Sequence, residues 1–364
     1  MAKQTINYGT PPDGAGGDNR RAALEKLESN DTELYAAVAA AQADATAGLT
    51  AASLAKSIAG AASFKNKLLN GNFDHWQSGT SNAAHTANTY LADQWSTGGT
   101  GSTCAASQQA FAFGQTAVPN NPKFFHRVVV ASVAGASNNA FLAQRIEFPD
   151  TLAGQDVTVS FWAKVDAAKS LAIAFSQNFG AGGGATVNTN PTHVIPIGTN
   201  WAYYSYTVSL PSVAGTTNGT NGYLAMYVML DAGASSAIGG GIGQQSGTWD
   251  FAQFQLEAGD VATPFEMRAY GEELALCQRF CLLGTHSYTG MASVGTQYAN
   301  RAFPVQMRAV PTIIASGYLD NDSAGTGGLS SVTCDQYGII SMVTASAATK
   351  IGRFYFTFRA EARL

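Results

Sequence analysis

Apolar and polar residues alternate along several stretches in the middle of the chain. The clearest stretch is 156–165, where every second residue from Val157 to Val165 is apolar. Residues 202–210 and 224–230 show the same period of two, which places the apolar side chains on one face of a β-strand. The shorter strand candidates are 126–131, 141–148, 171–175 and 249–256. Gly- and Asn-rich loops separate these runs without a helical period, so residues 63–268 are predicted to form a two-sheet β-sandwich.

A helical period precedes the strands. From Leu24 to Ala59 the apolar residues keep the a/d spacing of a coiled coil, interrupted at Asp31 and Gly48, and the seam changes from Leu to Ala. An Ala seam buries little area, so a lone helix of this kind would be marginal and needs copies of itself. Residues 21–62 are therefore predicted to form the helical stem of a parallel homotrimer. The alternative is a single Ala-rich helix that lies on a domain of its own chain.

The segment before the helix, residues 1–20, is irregular. Pro11, Pro12 and several glycines exclude a regular helix or strand there. Asp18 or Asn19 is a suitable cap for the start of the following helix.

The last part of the chain, residues 269–364, is predicted to be a smaller β-rich tip domain that begins with a short helix at 269–284. Its size is small for a stable core of its own, so we expect it to pack across chains. The strand-like runs are 299–303, 312–316, 338–343 and 354–358, with a loop at 320–328. The expected fold class is mainly β, with an N-terminal α-helical stem.

Large aromatic residues fall on the strand faces opposite the predicted core. They are Trp162, Trp201, Tyr203, Trp249 and Phe251. We do not expect so many large aromatic side chains to remain exposed to solvent, because exposed apolar patches mark interaction surfaces. Three explanations are open. The aromatic residues pack against a neighbouring subunit, they are covered by long loops and the 258–284 crossing of the same chain, or they form a platform on which sugar rings stack.

Composition and charge argue against several classes of function. Charged residues make up 12% of the chain and glycine numbers 39, a balance typical of a β-rich protein that buries surface against partner chains. The net charge of −4, without a run of like charges, argues against nucleic-acid binding. Neither a secretory signal nor an apolar stretch of about 18 residues is present. We therefore expect synthesis in the cytoplasm and no membrane insertion.

The sequence indicates no enzyme and no cofactor. The histidines are scattered without metal spacing, no Gly-x-Ser-x-Gly elbow occurs, and the Gly-rich run at 180–184 lacks the residues of a phosphate loop. Several carboxylates are available to a glycosidase, but nothing in the sequence pairs them. Cys277 and Cys281 are four residues apart, which predicts one shared helix face with buried thiols.

Three stretches in order carry a resemblance to a known family. LNGNFDHWQSGT at 69–80, YLADQW at 90–95 and WDFAQFQLEAGDVATPFEMRAYGEELALCQRF at 249–280 resemble the jelly-roll, carbohydrate-module-like domain in tail fibres of tailed bacteriophages. The opening, INYGTPPDGAGGDNRR at 6–21, looks like the attachment end of such fibres.

The resemblance implies a tail-fibre protein of the virion that is assembled in the host cytoplasm. Residues 1–20 would attach to tail or baseplate proteins, and the distal part would bind a host surface receptor, with a glycan as the expected ligand. It also implies a structural calcium ion at Asp74 and Asp250, although the family usually has Glu within Asn-Pro-Gly-Phe-Glu at the first of these positions. The rival functions are a purely structural collar or baseplate decoration and a glycan-degrading tailspike.

The receptor-binding residues are expected at the end far from the attachment segment. Rings and hydrogen-bond acceptors suited to sugars are offered there by Tyr288, Tyr298, Tyr318, Asp320, Asn321 and Asp322. Three copies of a weak site on one fibre would raise the avidity for the receptor.

Overall fold

The structure is a computed structural model that describes residues 5–10, 15–61, 64–189, 194–236, 238–292, 295–320, 327–345 and 350–364. Of these, residues 47–61, 288–292, 295–297, 317–320, 327–331, 342–345 and 350–354 are described by their backbone alone. The chain divides into two compact units, Met1–Ser63 and Phe64–Leu364.

The first unit is dominated by one helix, α1 (Arg20–Ala61). Of the two predicted N-cap residues, Asn19 caps the helix. Its Oδ1 accepts a hydrogen bond of 2.9 Å from the backbone N–H of the third helical residue. Asp18 instead forms an ion pair of 2.5 Å with Lys26 and accepts a hydrogen bond from the backbone of Asn7. Asp18 therefore holds the preceding segment against the first turns of the helix.

The second unit contains a sandwich of two antiparallel sheets, which confirms the expected mainly β fold. In chain order its strands are β1 (Thr89–Tyr90), β2 (Trp95–Thr100), β3 (Thr103–Ala110), β4 (Phe124–Ala131), β5 (Asn139–Glu147), β6 (Asp156–Val165), β7 (Lys169–Asn178), β8 (Val187–Thr189), β9 (Ile195–Ile197), β10 (Ala202–Ser209), β11 (Tyr223–Ala232) and β12 (Gly247–Ala258). The 7-stranded sheet has the order β1-β2-β5-β11-β7-β8, with β9 also paired to β7, and the 5-stranded sheet has the order β10-β6-β12-β4-β3.

The core lies between the two sheets and follows the period of two. On β6 the alternate residues Val157, Val159, Phe161, Ala163 and Val165 are all buried in it. The strands β1, β2 and β3 were not predicted, because their small and polar residues show no apolar alternation.

A β-bulge in β12 reverses which residues face the core. The pairing of β12 with β6 shifts register between Ala252 and Gln255, and Gln253 has a φ of 53°. The extra residue places Phe251 and Phe254 on the same side, both fully buried in the core. The prediction that Trp249 and Phe251 lie on the outer face is therefore wrong, because it assumed an uninterrupted alternation through this strand.

The segment that leads into the sandwich lies beside the segment that leaves it. The backbone N–H of Lys67 donates a hydrogen bond of 2.8 Å to the carbonyl of Leu256. The carboxylate of Glu266 accepts from the backbone N–H of Asn66 at 2.8 Å, and the Arg268 guanidinium donates to the carbonyl of Asn66. We call residues 64–76 the entry segment and residues 259–269 the crossing.

The C-terminal part packs around a second hydrophobic cluster that includes Met307, Ile339, Phe356 and Phe358. Its elements are α2 (Tyr270–Gln278), β13 (Cys281–Ala292), β14 (Gly295–Ala302), β15 (Thr312–Asp320), β16 (Gly327–Cys334), β17 (Gly338–Ala345) and β18 (Lys350–Glu361). Two 3-stranded sheets result, in the orders β13-β18-β15 and β14-β17-β16.

The predicted helix at 269–284 is too long by its last turn. Helix α2 ends at Gln278, and Cys281 is the first residue of β13, so Cys277 and Cys281 do not share a helix face. Both thiols are nevertheless buried.

Candidate functional site

Three of the predicted outer-face aromatic residues lie together on the 5-stranded sheet. Trp162 on β6 and Tyr203 on β10 are register partners, with ring centroids 5.8 Å apart. Trp201 lies just before β10, opposite Lys164, because the neighbouring Ala202 pairs with Ala163. The Tyr203 side chain is 45% exposed, so this group of rings reaches solvent.

Two phenylalanines of the same chain pack against these rings. Phe111 lies 5.2 Å from Trp201, and Phe125 meets the same indole edge-on at 5.4 Å. Phe111 belongs to the loop before β4, so the same chain covers part of the outer face. We call Trp162, Trp201 and Tyr203 the aromatic platform, and Phe111 and Phe125 are its same-chain cover.

The crossing covers a different part of the same sheet face. Thr263 donates hydrogen bonds to the Glu257 carboxylate from its backbone N–H at 2.8 Å and from its hydroxyl at 2.6 Å. Glu257 and the nearby Gln255 are buried as a result. Same-chain segments thus lie at both ends of this face, and the exposed Tyr203 marks the part that they leave open.

A cluster of charges borders the aromatic platform. Arg127 donates two hydrogen bonds to the Asp250 carboxylate, at 2.7 and 2.9 Å, and the Lys164 ammonium lies 3.5 Å from it. This hydrogen bond to Asp250 raises the pKa of Arg127. Lys164 also lies 5.4 Å from the Trp201 ring centroid. The ammonium therefore lies over the indole as a cation–π contact, and the charged cluster borders the exposed ring of Tyr203.

The implied calcium site at Asp74 and Asp250 does not fit the residues present. Both oxygens of Asp250 accept hydrogen bonds from Arg127, with Lys164 next to them, so a divalent cation would meet two positive charges. Asp74 has other neighbours, and one of its oxygens accepts a hydrogen bond of 2.8 Å from Asn72. Among the described residues, no group of three or more His, Cys, Asp or Glu side chains could hold a metal ion.

The predicted receptor residues of the C-terminal part are only partly described. Tyr298 on β14 is exposed. Tyr288 on β13 and Asp320 at the end of β15 both pair with Phe354 of β18, so the backbone places them on either side of one strand. Tyr318 lies on β15, where the backbone alone is described. Asn321 and Asp322 lie outside the described residues.

A second aromatic face, on the 7-stranded sheet, was not predicted. Tyr227 on β11 meets Phe141 on β5 edge-on at 5.2 Å, and the guanidinium of Arg145 lies 4.6 Å from the ring centroid of Tyr223. Arg145 also donates a hydrogen bond to the Leu364 carbonyl, so the last described residue contacts this face. The signal was present in the sequence, since inward Leu, Met and Val residues at 224, 226 and 228 leave both tyrosines outside.

Neither helix of the described part is long and apolar enough to cross a membrane. The 42-residue helix α1 has the length but not the hydropathy.

The comparisons with known proteins find similarity at the level of structure. No protein-family model and no curated protein matches the sequence. The enzymatically active domain of tailspike protein 4 of bacteriophage CBA120 aligns with 54% of this chain and 22% of its own, at 13% identity and a TM-score of 0.29. The chain thus spans about a fifth of that tailspike chain.

Carbohydrate-binding modules are also similar in structure. The CBM22-2 xylan-binding domain of Paenibacillus barcinonensis Xyn10C aligns over 54% of this chain and 100% of its own, at 14% identity and a TM-score of 0.32. The family 11 module of Clostridium thermocellum Lic26A-Cel5E aligns over 49% of this chain and 95% of its own, at 11% identity and a TM-score of 0.30.

Proposed function

We propose that this chain is a tail-fibre protein of a tailed bacteriophage that binds a glycan on the host surface through the aromatic platform of its sandwich. Residues 1–20 attach it to the tail or baseplate, and it works as part of the virion after assembly in the host cytoplasm. The proposal includes no catalytic step and no cofactor.

The observation that carries glycan binding is the partly open aromatic platform. Sugar rings present one apolar face, which stacks on indole and phenol rings, while their hydroxyls need hydrogen-bond partners at the edge. Tyr203 supplies the exposed ring, and Lys164, over the neighbouring Trp201 indole, supplies a charged donor at its border. An exposed aromatic ring beside charged side chains is typical of a surface that binds a polar ligand with apolar faces.

The homotrimer in this proposal is supported by helix α1. Leu24, Leu27, Leu34 and Val38 occupy its a and d positions and are exposed in the single chain. A stripe of this kind is buried when copies of the helix pack side by side. Three platforms on one fibre then act together on a surface that carries many copies of the glycan.

The second candidate function is a structural collar or baseplate component that contacts no receptor. It is favoured by the same-chain cover on the platform, where Phe111 and Phe125 pack against Trp201. In that case the remaining exposed part of the platform, at Tyr203, contacts a neighbouring subunit.

Binding of the full chain to host cells and to purified surface glycan separates the two candidates. We expect saturable binding that Tyr203→Ala weakens about threefold to tenfold, equivalent to roughly 0.7–1.4 kcal/mol for one lost stacking contact. The matched control is Tyr337→Ala, which removes an exposed tyrosine side chain from the C-terminal part of the chain. Undiminished binding by Tyr203→Ala contradicts the platform as the site, and intact assembly without any binding favours the structural candidate.

A further inference from the structure

A row of charged side chains crosses the outer face of the 5-stranded sheet beside the aromatic platform. Asp250 on β12 pairs with Lys164 on β6 and with Arg127 on β4. Each of the three lies between residues that are buried in the core, so its own side chain lies on the outer face. Trp201 continues this row, and Tyr203 belongs to the next one. The charges and the platform are therefore neighbours on a single surface.

The row carries one positive charge more than it needs. Both oxygens of the Asp250 carboxylate accept hydrogen bonds from Arg127, at 2.7 and 2.9 Å, and only 4% of the Asp250 side chain is exposed. The Lys164 ammonium lies 3.5 Å from this carboxylate, and within the described part of the chain it donates no hydrogen bond. Two cations therefore share one carboxylate, and the charge of Lys164 is the one in excess.

Two other carboxylates of this face have partners of their own. Asp166 is the next outward residue of β6 after Lys164, on the side away from Tyr203, and it lies 3.9 Å from the Lys169 ammonium. Glu257 is buried beneath the crossing, where its carboxylate accepts two hydrogen bonds from a threonine. The positive charge of Lys164 therefore remains at the border of the platform.

Lys164 and Tyr203 are close enough to contact one ligand. Tyr203 pairs with Trp162, and Lys164 lies two residues further along the same strand, so Lys164 and Tyr203 are diagonal neighbours. Diagonal neighbours on antiparallel strands are roughly 7–8 Å apart, within reach of aromatic and long side chains. The Lys164 side chain is 32% exposed and Tyr203 is 45% exposed. A sugar ring stacked on Tyr203 can therefore place a substituent against the ammonium.

We infer that the glycan bound by the platform is acidic: the pyranose that stacks on Tyr203 carries a carboxylate, and Lys164 binds this carboxylate. The inference rests on the glycan binding proposed above and specifies the ligand of that site. One excess ammonium matches the single negative charge of a carboxylate, and hydrogen bonds between charged groups are roughly twice as strong as neutral ones. A phosphate monoester carries about −1.5 to −2 charges and would need a second cation that Asp250 does not already occupy.

Saturation-transfer difference NMR on the full chain tests this inference with pairs of sugars that differ only at C6. The probes are the methyl glycosides of D-glucuronic, D-galacturonic and D-mannuronic acid, each beside the methyl glycoside of the parent hexose. We expect at least one acid to bind with a dissociation constant about tenfold below that of its hexose. Raising the NaCl concentration from about 0.1 to 1 M should remove most of this preference, because salt screens an exposed ion pair.

The substitution that isolates the charge is Lys164→Gln. It leaves the bonds between Arg127 and Asp250 in place, so no buried carboxylate loses its partner. We expect this variant to lose the preference for the acid while it binds the neutral hexose as the wild type does. The matched control is Lys67→Gln, which removes an exposed ammonium from the entry segment and should retain the preference. Tyr203→Ala should weaken the binding of both sugars, and melting temperatures show that each variant is folded.

The outcomes separate this inference from the function on which it rests. If acid and hexose bind equally to the wild type, or if the folded Lys164→Gln variant keeps the preference, the inference is overturned while glycan binding by the platform stands. Tighter binding of D-glucose 6-phosphate than of the glucuronic acid glycoside likewise overturns the assignment to a carboxylate. If no sugar of either kind binds, the inference and the proposed glycan binding are both wrong.

Discussion

The burial of His126 links the stability of the sandwich to pH. It lies on β4 inside the sandwich, where its imidazole is 5.1 Å from the Phe73 ring and 5.2 Å from the Trp76 ring. Neither of its nitrogens has a hydrogen-bond partner among the described residues. Burial lowers the pKa of His126 to about 3, so the side chain stays neutral in the folded protein.

The depressed pKa of His126 predicts that stability falls as the solution becomes acidic. Below a pH of about 6.5 the unfolded chain binds a proton at this residue that the folded chain does not, so the free energy of unfolding decreases as the pH falls from 6.5 towards 3. The slope from this residue is roughly 1.4 kcal/mol per pH unit at most. Urea unfolding at pH 7.5, 6 and 5 measures it.

The matched comparison uses His126→Phe and His85→Phe. The first removes the buried imidazole and should flatten the loss of stability between pH 6.5 and 5, while the second replaces a partly exposed histidine and should not. Equal pH dependence in the wild type and in His126→Phe would contradict the assignment to His126.

At the scale of the element, the bulge in strand β12 decides which of its side chains face the core. Gln253 adopts a left-handed φ of 53°, and its side-chain amide donates a hydrogen bond of 2.7 Å to the carbonyl of Pro119. The bulge is what turns Trp249 and Phe251 into the core, where Phe251 lies 5.5 Å from Phe254. A regular strand would leave these two large rings on the opposite face.

Substitutions at Gln253 test the cost of this conformation. We expect Gln253→Val to lower the free energy of unfolding by about 1–3 kcal/mol, because a β-branched residue is strained at positive φ and loses the hydrogen bond to Pro119. Gln253→Asn should cost less than Val, since Asn tolerates this region. Chemical unfolding of both variants gives the comparison, and a Val variant as stable as the Asn variant would show that the backbone is not strained here.

The elements differ in how far the sequence could predict them. Strand β6 was predicted with its bounds, because it is buried and keeps an unbroken period of two from Val157 to Val165. Strand β2 was missed, since Trp95 is followed by Ser, Thr and Gly residues that show no such period. The bulge was missed because one inserted residue does not change the composition of the strand. The bulge places Trp249 and Phe251 on the face opposite to the predicted one.

The parts of the candidate site differ in the same way. The platform residues Trp162 and Tyr203 could be predicted because they are outward positions of regular strands. The cover on the platform could not, because Phe111 and Trp201 meet only through tertiary packing of segments far apart in the chain. Sequence alternation specifies the two faces of a strand and carries no information on which loops meet.

At the scale of the whole molecule, the apolar seam of α1 governs assembly. We expect the full chain to have a solution mass three times its 37.8 kDa. Leu27→Asp combined with Leu34→Asp should convert it to monomers, because charges at d positions cannot be buried between helices. Light scattering coupled to gel filtration measures the mass.

The control for this prediction adds the same charges outside the seam. Ala36→Asp combined with Ala43→Asp places two aspartates on the same helix at positions away from Leu34 and Val38, so the assembly should persist. A wild-type chain that runs as a monomer at micromolar concentration rules out the trimer.

The bonds between the entry segment and the crossing decide how the chain withstands tension. A pull applied between residues 64 and 273 acts first on the contacts of Glu266 and Arg268 with Asn66. Because these contacts close the chain on itself outside the strands, the load reaches the two sheets only after the contacts rupture. We therefore expect the sandwich to stay folded while these contacts hold.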